Sequence, residues 1–278
     1  MRRASRAPSL RSAIQRHYDS LALPYRVFWG EHIHHGLWES EDATPSAAQE
    51  RLVAHLAERV DVRPDERVLD VGCGYGASAR WLTAKHACHV TGITVSWGQA
   101  RRVQRLNRRA RHRRPVPVVQ ADAAAIPFAG NAFDVVWVVE CSEHLLDKPR
   151  FVREAARLLR QSGRIALCAW LRGSGVSTDD PRILAVCEAF LCPSLASADE
   201  YRHWSQASGL ELVHVEDLTD RVRRTWDVLI ARVEGYWLRP LRALAGRDIR
   251  RFIRGFRQIA EAYDSGAMSY GLMVARKR

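Results

Sequence analysis

Lysine is scarce in this sequence. Only three lysines occur among 43 basic residues, so arginine supplies almost all of the positive charge behind a net charge of +12. A bias of this kind toward arginine follows readily from codon usage and is weak support for nucleic-acid binding. The sequence also has no motif of a known base-reading module. We therefore expect no nucleic-acid partner.

Long apolar runs and paired cysteines are absent as well. No stretch approaches the roughly 20 apolar residues that a membrane-spanning helix needs, and the arginine-rich start has no apolar run of the kind found in secretion signals. The six cysteines include no C-x-x-C pair, and this spacing favours reduced thiols over a disulfide framework. We expect a cytoplasmic protein with reduced thiols.

The densest positive charge lies between Arg101 and Arg114, a segment with eight arginines. This segment is predicted to form a helix, and a solvated helix face is the first interpretation of its charge. The alternative is a peripheral contact with an anionic membrane, because lipid headgroups attract a basic helix. A second hypothesis for this helix is therefore a peripheral contact with an anionic membrane, which would place the cytoplasmic protein at the membrane surface.

A glycine-rich turn is the most informative feature that the sequence contains. The apolar pattern from Val68 to Val71 runs directly into Gly72, Gly74 and Gly76. Glycines at such a point let the backbone approach a flat ligand and adopt conformations closed to other residues. An adenosine-bearing cofactor suits the turn. The same letters match the dinucleotide pattern G-x-G-x-x-G/A, so a nicotinamide cofactor stays open on the turn alone.

Two positions distinguish S-adenosylmethionine from a nicotinamide cofactor. A dinucleotide fold places an acidic residue about 20 residues after the glycines, at the end of the second strand, but the strand here ends in Thr94. Asp70 instead precedes the glycines, where its charge would repel a diphosphate and attract the α-ammonium group of S-adenosylmethionine. We therefore predict S-adenosylmethionine as the cofactor and keep a nicotinamide oxidoreductase as an alternative from another class.

Apolar segments that alternate with helical patterns predict an α/β fold, in which a Rossmann-like sheet of seven strands has helices on both faces. A parallel sheet is expected from this alternation, and Thr44 with Pro45 predicts the start of an early helix. Strands are predicted near 67–71, 88–94, 115–119, 134–139, 163–170, 211–217 and 268–275, and further helices near 76–86, 96–112, 147–160 and 199–208.

The order of these segments also predicts three structural units. Residues 1–60 would form an N-terminal lid and helical segment, and residues 61–220 with 264–278 would form the cofactor-binding core. Residues 221–263 carry a helical pattern with spaced aromatic residues, most of which are expected to pack in a core. We predict that this segment is a helical substrate cap inserted before the last strand, over the edge of the sheet where ligands of such folds bind.

Polar residues at the ends of later strands are candidates for the rest of the cofactor site. Thr94 and Gln99 could bind the ribose hydroxyls, although both also suit a strand end and a helix start. Asp122 follows the third strand, and its carboxylate can accept a hydrogen bond from the adenine amino group. The alternative for Asp122 is a surface residue that caps the next turn.

A candidate catalytic pair follows the fourth strand, in the segment Glu140 to His144. Glu143 and His144 are placed to remove a proton from an acceptor, because an imidazole titrates near neutral pH and a neighbouring carboxylate tunes it. The alternative is that both residues begin the next helix and bind backbone groups. Three other histidines, His32, His34 and His35, lie close to one another in the sequence. No carboxylate or cysteine lies at ligand spacing with them, so we predict no metal site.

These residues belong to motifs that resemble the γ-tocopherol methyltransferase-like group of class I S-adenosylmethionine-dependent methyltransferases. The resemblance runs over nearly the whole chain, and its amino-terminal and carboxyl-terminal motifs are the most selective. The motifs are His17-Tyr18-Asp19 with Trp29 to Gly36, Leu69 to Gly76 with Gly92 to Ser96 and Gln99, Glu140 to His144, and Tyr263 to Gly266 through Ala275 to Lys277.

The resemblance implies a role for each candidate. The methionine part of the cofactor would lie beside Asp70 and the glycines, the ribose beside Thr94 and Gln99, and the adenine beside Asp122, while the amino-terminal aromatic stretch folds over the cofactor. The cofactor-binding residues so expected are Tyr18, Trp29, Asp70, Gly72, Cys73, Gly74, Gly76, Thr94, Gln99, Asp122, Ala123 and Glu140. Glu143 and His144 resemble the acid–base pair of related plant alkaloid N-methyltransferases.

The acceptor is also constrained by the resemblance. Related sugar methyltransferases have a carboxylate at the end of the fifth strand, whereas tocopherol-type enzymes have a tryptophan, as this chain does at Trp170. We predict methyl transfer to a small, largely apolar, aromatic or isoprenoid acceptor, with carbon methylation of a phenol or quinol as the first interpretation. The alternatives are N- or O-methylation of a small natural product, a lipid-modifying relative such as a cyclopropane synthase, and a non-catalytic membrane-associated binding module.

Overall fold

A computed structural model describes residues 14–16, 19, 27–109, 114–235 and 246–278, and these contain seven strands that form one sheet. The strands are β1 (Arg67–Val71), β2 (His89–Thr94), β3 (Val118–Gln120), β4 (Phe133–Val139), β5 (Leu159–Arg172), β6 (Leu210–Asp217) and β7 (Met268–Lys277). Their order across the sheet is β3-β2-β1-β4-β5-β7-β6. Each strand corresponds to one that the sequence predicts.

The direction of the last strand differs from the expected parallel sheet. Strands β1 to β5 pair in parallel, whereas β7 lies antiparallel between β5 and β6. Arg172 at the end of β5 pairs with Met268 at the start of β7. The chain therefore enters β7 from the carboxyl edge of the parallel strands, after the helical insertion, and must run back toward the opposite edge. The fold prediction of a seven-stranded sheet is confirmed, and the sheet is mixed.

Strand β3 is shorter and later than predicted. The sequence predicts this strand at 115–119, but the strand begins at Val118. Pro115 and Pro117 precede it, and a proline has no N–H to donate to a neighbouring strand. The two prolines therefore delay the pairing with β2 until Val118.

Helices surround the sheet in the described part of the chain. They are α1 (Pro45–Val60), α2 (Ala77–His86), α3 (Trp97–Arg109), α4 (Lys148–Leu158), α5 (Pro181–Phe190), α6 (Ala198–Ala207), α7 (Thr219–Val222), α8 (Arg224–Glu234) and α9 (Arg247–Asp264). The predicted cap of α1 is present, because the Thr44 hydroxyl accepts a hydrogen bond from the Ala47 N–H at 3.2 Å. Helix α5 was not predicted, although Asp180 before Pro181 is a start signal of the same kind.

Helices α7, α8 and α9 form the helical insertion that the sequence predicts between β6 and β7. Helix α9 packs against α5, α8 and β7. Trp226, Phe252 and Phe256 of this insertion are almost fully buried, so these three aromatic residues pack in a core. Of the helices in the described ranges, none combines the length and the apolar character needed to cross a bilayer.

Candidate active site

A cavity of about 350 Å³ opens at the carboxyl edge of the parallel strands. Most of the residues predicted to form the site line this one cavity. They are Asp70, Gly72, Cys73, Gly74, Thr94, Gln99, Asp122, Ala123, Glu140 and His144. The parallel strands bring these residues together because their carboxyl ends lie at the same edge of the sheet.

The turn after β1 has the left-handed backbone that the glycines allow. Gly72 and Gly74 have φ angles of +77° and +51°. A side chain at Gly72 would place its Cβ 2.6 Å from the Cβ of Cys141, so the contact between this turn and the segment after β4 requires glycine. A Cβ at Gly74 would meet no atom within 4 Å. Gly76, with φ of +71°, precedes the first residue of α2. The turn thus presents bare backbone to the cavity.

Asp70 supplies the buried charge of the cofactor site. Its side chain is 3% exposed, and burial raises its pKa to about 7. Within the described residues, the Oδ2 atom of Asp70 has no hydrogen-bond partner. A buried carboxylate in this state is costly unless a cation or a donor approaches it. Asp70 therefore fits the α-ammonium group of S-adenosylmethionine.

The residues predicted beside the ribose and the adenine line the same cavity. The Thr94 hydroxyl donates a hydrogen bond to Oε1 of Gln99 at 2.6 Å, and both side chains are buried. Oδ1 of Asp122 accepts the Ala124 N–H at 2.9 Å. Asp122 thus caps the following turn, as its alternative interpretation proposed, and it lines the cavity as well.

Residues 27–44, which precede α1 and form the N-terminal segment, contribute to the wall of this cavity. Residues 31 to 34 line it, although the sequence analysis assigned none of them to the cofactor. The Glu31 carboxylate accepts hydrogen bonds from Arg102 at 2.7 Å and from Arg80 at 3.2 Å, so ion pairs hold the segment against α2 and α3. Tyr18, which was predicted to contact the cofactor, lies outside the described residues.

Trp29 lies in an aromatic cluster with the helical insertion. Its ring centroid is 5.8 Å from that of Trp226 and 5.3 Å from that of Phe256. Trp29 also lines a second, smaller cavity rather than the larger one. The predicted contact of Trp29 with the cofactor stays a prediction, and its position links the N-terminal segment to α8 and α9.

Glu140 is a buried hydrogen-bond acceptor at the centre of the site. Its Oε1 accepts the backbone N–H of His35 at 2.7 Å and the Tyr270 hydroxyl at 2.8 Å, and it lies 2.9 Å from Nδ1 of His35. Its Oε2 accepts the indole N–H of Trp170 at 2.9 Å. Burial alone would raise the pKa of Glu140, but the interactions with His35, which donates its backbone N–H and its Nδ1–H to the carboxylate, outweigh burial and lower the pKa to about 2. Glu140 is therefore ionised.

The predicted catalytic pair lies on a short 3₁₀ turn, Ser142–His144, that precedes α4. Glu143 is 2% exposed, and its Oε1 accepts the backbone N–H of Trp170 at 2.6 Å. Nδ1 of His144 lies 3.4 Å from the carbonyl oxygen of Leu191. Sγ of Cys192 lies 3.9 Å from the same nitrogen. A carbonyl can only accept, so the contact with Leu191 favours the tautomer that has its proton on Nδ1 and its lone pair on Nε2.

Burial controls the charge of both members of this pair. Burial first, and then the negative charge of Glu140, raise the pKa of Glu143 to about 8. Burial also lowers the pKa of His144 to about 4. The sequence predicts an imidazole that titrates near neutrality beside a carboxylate, whereas the structure favours an uncharged imidazole beside an uncharged carboxylic acid at neutral pH.

The second cavity, of about 30 Å³, adjoins the first. Its lining residues are Trp29, Ile33, Glu140, Glu143, His144, Trp170, Phe190 and Trp226. Ile33, Glu140 and His144 line both cavities. Aromatic rings from β5, α5 and α8 form most of the remaining wall, and Glu140 and Glu143 add carboxyl groups to it.

Lys148 is a residue of the site that the sequence analysis missed. It is buried, and its Nζ donates hydrogen bonds to the Leu145 carbonyl at 2.9 Å, the Ser194 hydroxyl at 3.2 Å and the Glu143 carbonyl at 3.5 Å. These bonds fix the turn that carries His144. Lys148 follows a helix cap at Asp147, a pattern that indicates an exposed helix start, so no local signal reveals its burial.

The three histidines of the N-terminal segment bind one another and the backbone. Nδ1 of His32 lies 3.0 Å from Nε2 of His34, and Nδ1 of His34 lies 2.7 Å from the His35 carbonyl. Burial lowers the pKa of His32 to about 3 and also lowers that of His34. In the part of the chain that the structure describes, no group of three or more potential ligands has the arrangement of a metal site.

Comparison with known proteins identifies the family. A family model described as a methyltransferase domain matches residues 69–167. The chain is 33% identical over 263 residues to 27-O-demethylrifamycin SV methyltransferase of Amycolatopsis mediterranei, and the match covers 94% of this chain and 95% of the relative. The chain belongs to the class I S-adenosylmethionine-dependent methyltransferases. The predicted enzyme class and cofactor are confirmed.

Two further similarities define how far the assignment extends. The chain is 28% identical to the chloroplastic tocopherol O-methyltransferase of Arabidopsis thaliana, over 99% of this chain and 84% of the relative. The crystal structure of mycolic acid cyclopropane synthase CmaA1, complexed with SAH and CTAB, has the same fold, with a TM-score of 0.85 at 22% identity over 99% of this chain and 100% of that one. Because other relatives are as similar as the tocopherol enzyme, only the wider family is established.

A charge-removing variant tests the role of Asp70. Asp70→Asn keeps the shape of the side chain but removes the charge that faces the ammonium group, so affinity for S-adenosylmethionine should fall at least tenfold, which is about 1.4 kcal/mol. Isothermal titration calorimetry measures this affinity. Asp134→Asn is the control, because Asp134 lies at the start of β4, on the opposite edge of the sheet, where it binds Arg67 and Arg160.

The same titration has a pH dependence. The pKa of Asp70 is raised to about 7, so a cation that requires the ionised form must displace a proton at low pH. Affinity in the native chain should fall as the pH is lowered from about 8 to about 6, and Asp70→Asn should abolish that slope. Equal affinity in the native chain and the variant would show that Asp70 does not hold the cofactor.

Proposed function

We propose that the protein methylates an oxygen of a small, largely apolar molecule that bears a hydroxyl group, and that His144 removes the hydroxyl proton. The position of His144 carries this proposal, because its ring lines both cavities and its Nδ1 is engaged with the Leu191 carbonyl. The names of two relatives support the proposal, since one is a 27-O-demethylrifamycin SV methyltransferase and the other a tocopherol O-methyltransferase.

The residues of the chain supply alignment and proton removal. S-adenosylmethionine, when bound, provides a methyl group on a positively charged sulfur. Asp70 and the glycine turn would hold the amino acid end of the cofactor, and Thr94 with Gln99 would hold its ribose. Nε2 of His144 accepts the hydroxyl proton, which makes the acceptor oxygen a stronger nucleophile. The aromatic wall excludes water and orients the acceptor.

The charges that line the site favour a neutral acceptor over an amino acid. An amino acid acceptor carries a carboxylate, which needs a cationic partner. Of the described residues around the larger cavity, Arg150 alone carries a permanent positive charge, and the smaller cavity is lined by aromatic rings and carboxyl groups. This lining supports an uncharged, apolar acceptor.

Carbon methylation of a phenol or quinol, which the sequence predicts first, is the second candidate. The aromatic side chains of Trp170, Phe190 and Trp226 around the smaller cavity favour an aromatic acceptor. A phenol that has lost its proton shares the negative charge between oxygen and ring carbons, so the same base serves both reactions. Product mass and NMR distinguish an O-methyl from a C-methyl product.

The structural units predicted from the sequence are part of the same proposal. Residues 1–60 would act as a lid, which the ion pairs of Glu31 with Arg80 and Arg102 support. Residues 221–263 would act as a substrate cap over the core of 61–220 and 264–278, and the place of Trp226 in the wall of the smaller cavity supports this role.

The variant His144→Ala tests the proposed base. Turnover of hydroxyl acceptors, screened with isotope-labelled methyl donor, should fall by about a hundredfold or more. Affinity for S-adenosylmethionine should change little, because the assigned cofactor residues are retained. His203→Ala, on the exposed face of α6, is the matched control. Unchanged turnover in His144→Ala would remove this histidine from the mechanism.

We also propose that α3 contacts anionic lipid at the membrane surface. Trp97, Arg101, Arg105 and Arg108 are exposed on this helix, and its first turn contains Gln99, which lines the cofactor cavity. A tryptophan beside several arginines suits the interface of a negatively charged membrane. An apolar acceptor held in the membrane would then be close to the site.

Vesicle co-sedimentation tests the membrane contact. The native chain should bind vesicles with anionic lipid more strongly than neutral vesicles, and binding should weaken as salt is raised. The double variant Arg101→Glu/Arg105→Glu should lose most of the binding. Arg153→Glu/Arg202→Glu, which changes exposed arginines of α4 and α6, should keep it. Equal binding of anionic vesicles by both double variants would contradict the proposed contact of α3 with the membrane.

A further inference from the structure

The carboxyl group of Glu143 lies inside the protein, and one of its two oxygens is engaged. Its Oε1 accepts the Trp170 backbone N–H at 2.6 Å. Its Oε2 is buried and has no hydrogen-bond partner among the described residues. Glu143 lines the smaller cavity, whose other walls include the rings of Trp170, Phe190 and Trp226. An unpaired polar atom in such surroundings is costly in free energy. The site therefore favours a ligand group that forms a hydrogen bond with this oxygen.

We propose that Glu143 acts as a carboxylic acid that donates a hydrogen bond from Oε2 to a second oxygen of the acceptor, and thereby selects acceptors with an oxygen beside the reacting hydroxyl. This inference rests on the proposed function, since it concerns the acceptor of the same site. The ligand class is an aromatic molecule with a hydroxyl and a neighbouring carbonyl, ether or hydroxyl oxygen.

The size of the cavity supports a single oxygen-bearing group. Its volume of about 30 Å³ accommodates one small polar group, since a water molecule requires at least about 10–15 Å³ of such space. The reacting oxygen itself is a poor partner for this donor, because a hydrogen bond from an acid would withdraw the electron pair that attacks the methyl group. A second oxygen of the acceptor has no such conflict.

The surroundings of Glu143 keep its proton in place at neutral pH. Burial and the ionised Glu140 raise its pKa to about 8, while the Trp170 N–H and the ammonium of Lys148 oppose this rise. His144, its neighbour in the turn, is uncharged because burial lowers its pKa. The other titratable groups that interact with Glu143 are Cys141, Cys168, Cys192, Tyr201 and Tyr263. Burial raises the pKa of each of them, so they are uncharged near neutrality.

The rival role for Glu143 is the one that the sequence predicts, an ionised carboxylate that supports the imidazolium of His144. The substitution of Glu143 by glutamine distinguishes the two roles. Glu143→Gln keeps an oxygen for the Trp170 N–H and offers an amide N–H as donor, but it cannot carry a negative charge. Glu143→Met fills a similar volume and offers neither.

The experiment compares these two variants with the native chain, each saturated with S-adenosylmethionine. The acceptors are a matched pair, a hydroxyl-bearing aromatic ketone and its analogue with a methylene in place of the carbonyl. For the ketone, Glu143→Gln should keep kcat/KM within about threefold, while Glu143→Met should lose about tenfold to a hundredfold, mainly through a raised KM. For the methylene analogue, the two variants should differ by less than about threefold.

A pH profile gives an independent result. In the native chain, kcat/KM for the ketone should decline above about pH 8, because Glu143 loses the proton that it donates. Glu143→Gln should remove this decline. A variant Glu143→Gln as impaired as Glu143→Met, or one that keeps the alkaline decline, would overturn the inference. Equal discrimination between the two acceptors by all three proteins would mean that Oε2 binds water only, and would overturn it as well.

Failure of the proposed function gives a different result. Methylation of nitrogen compounds by the native chain, without methylation of any hydroxyl acceptor, would contradict the proposal of oxygen methylation. The inference about Glu143 is then read from calorimetry of the same ketone and methylene pair with the S-adenosylhomocysteine complex, where the native chain and Glu143→Gln should prefer the ketone. No preference for the ketone in that titration would overturn it. Circular dichroism and thermal unfolding verify that each variant folds.

Discussion

The carboxylate of Glu140 lies where the N-terminal segment, β5 and β7 meet, and it accepts hydrogen bonds from all three. His35 binds it from the segment, Trp170 from the end of β5 and Tyr270 from β7. His35 in turn accepts the indole N–H of Trp226 from the helical insertion at 2.6 Å. The wall between the two cavities therefore depends on one ionised carboxylate. The backbone of Glu140 is left-handed, with φ of +49°, a conformation that persists in a residue other than glycine only where the surrounding structure supports it.

Burial gives the other ionisable groups of the site their chemical roles. Asp70 and Glu143 have raised pKa values and His144 has a lowered one, in each case with burial as the largest cause. An imidazole must be uncharged before it accepts a proton, and a carboxylic acid must keep its proton to donate a hydrogen bond. The same apolar surroundings thus provide an uncharged imidazole, a neutral acid and a carboxyl group that ionises when a cation approaches.

The cofactor turn and the strand positions were predictable because each depends on a local pattern. Asp70 with its glycines and the apolar runs of the seven strands are short segments whose meaning does not depend on distant residues. Glu140 was predicted only as a cofactor contact, because its partners His35 and Tyr270 are more than a hundred residues away. The burial of Lys148 and the antiparallel entry of β7 also arise from tertiary packing. Long-range packing likewise sets the shifted pKa values.

The orientation of the cofactor is the claim on which the account depends, and a crystal structure of the complex with S-adenosylmethionine tests it most directly. The account predicts that the α-ammonium group lies within hydrogen-bond distance of Asp70 and that the methyl group faces the wall formed by Ile33, Glu140 and His144. An ammonium group bound elsewhere, or a methyl group directed away from His144, would contradict the account.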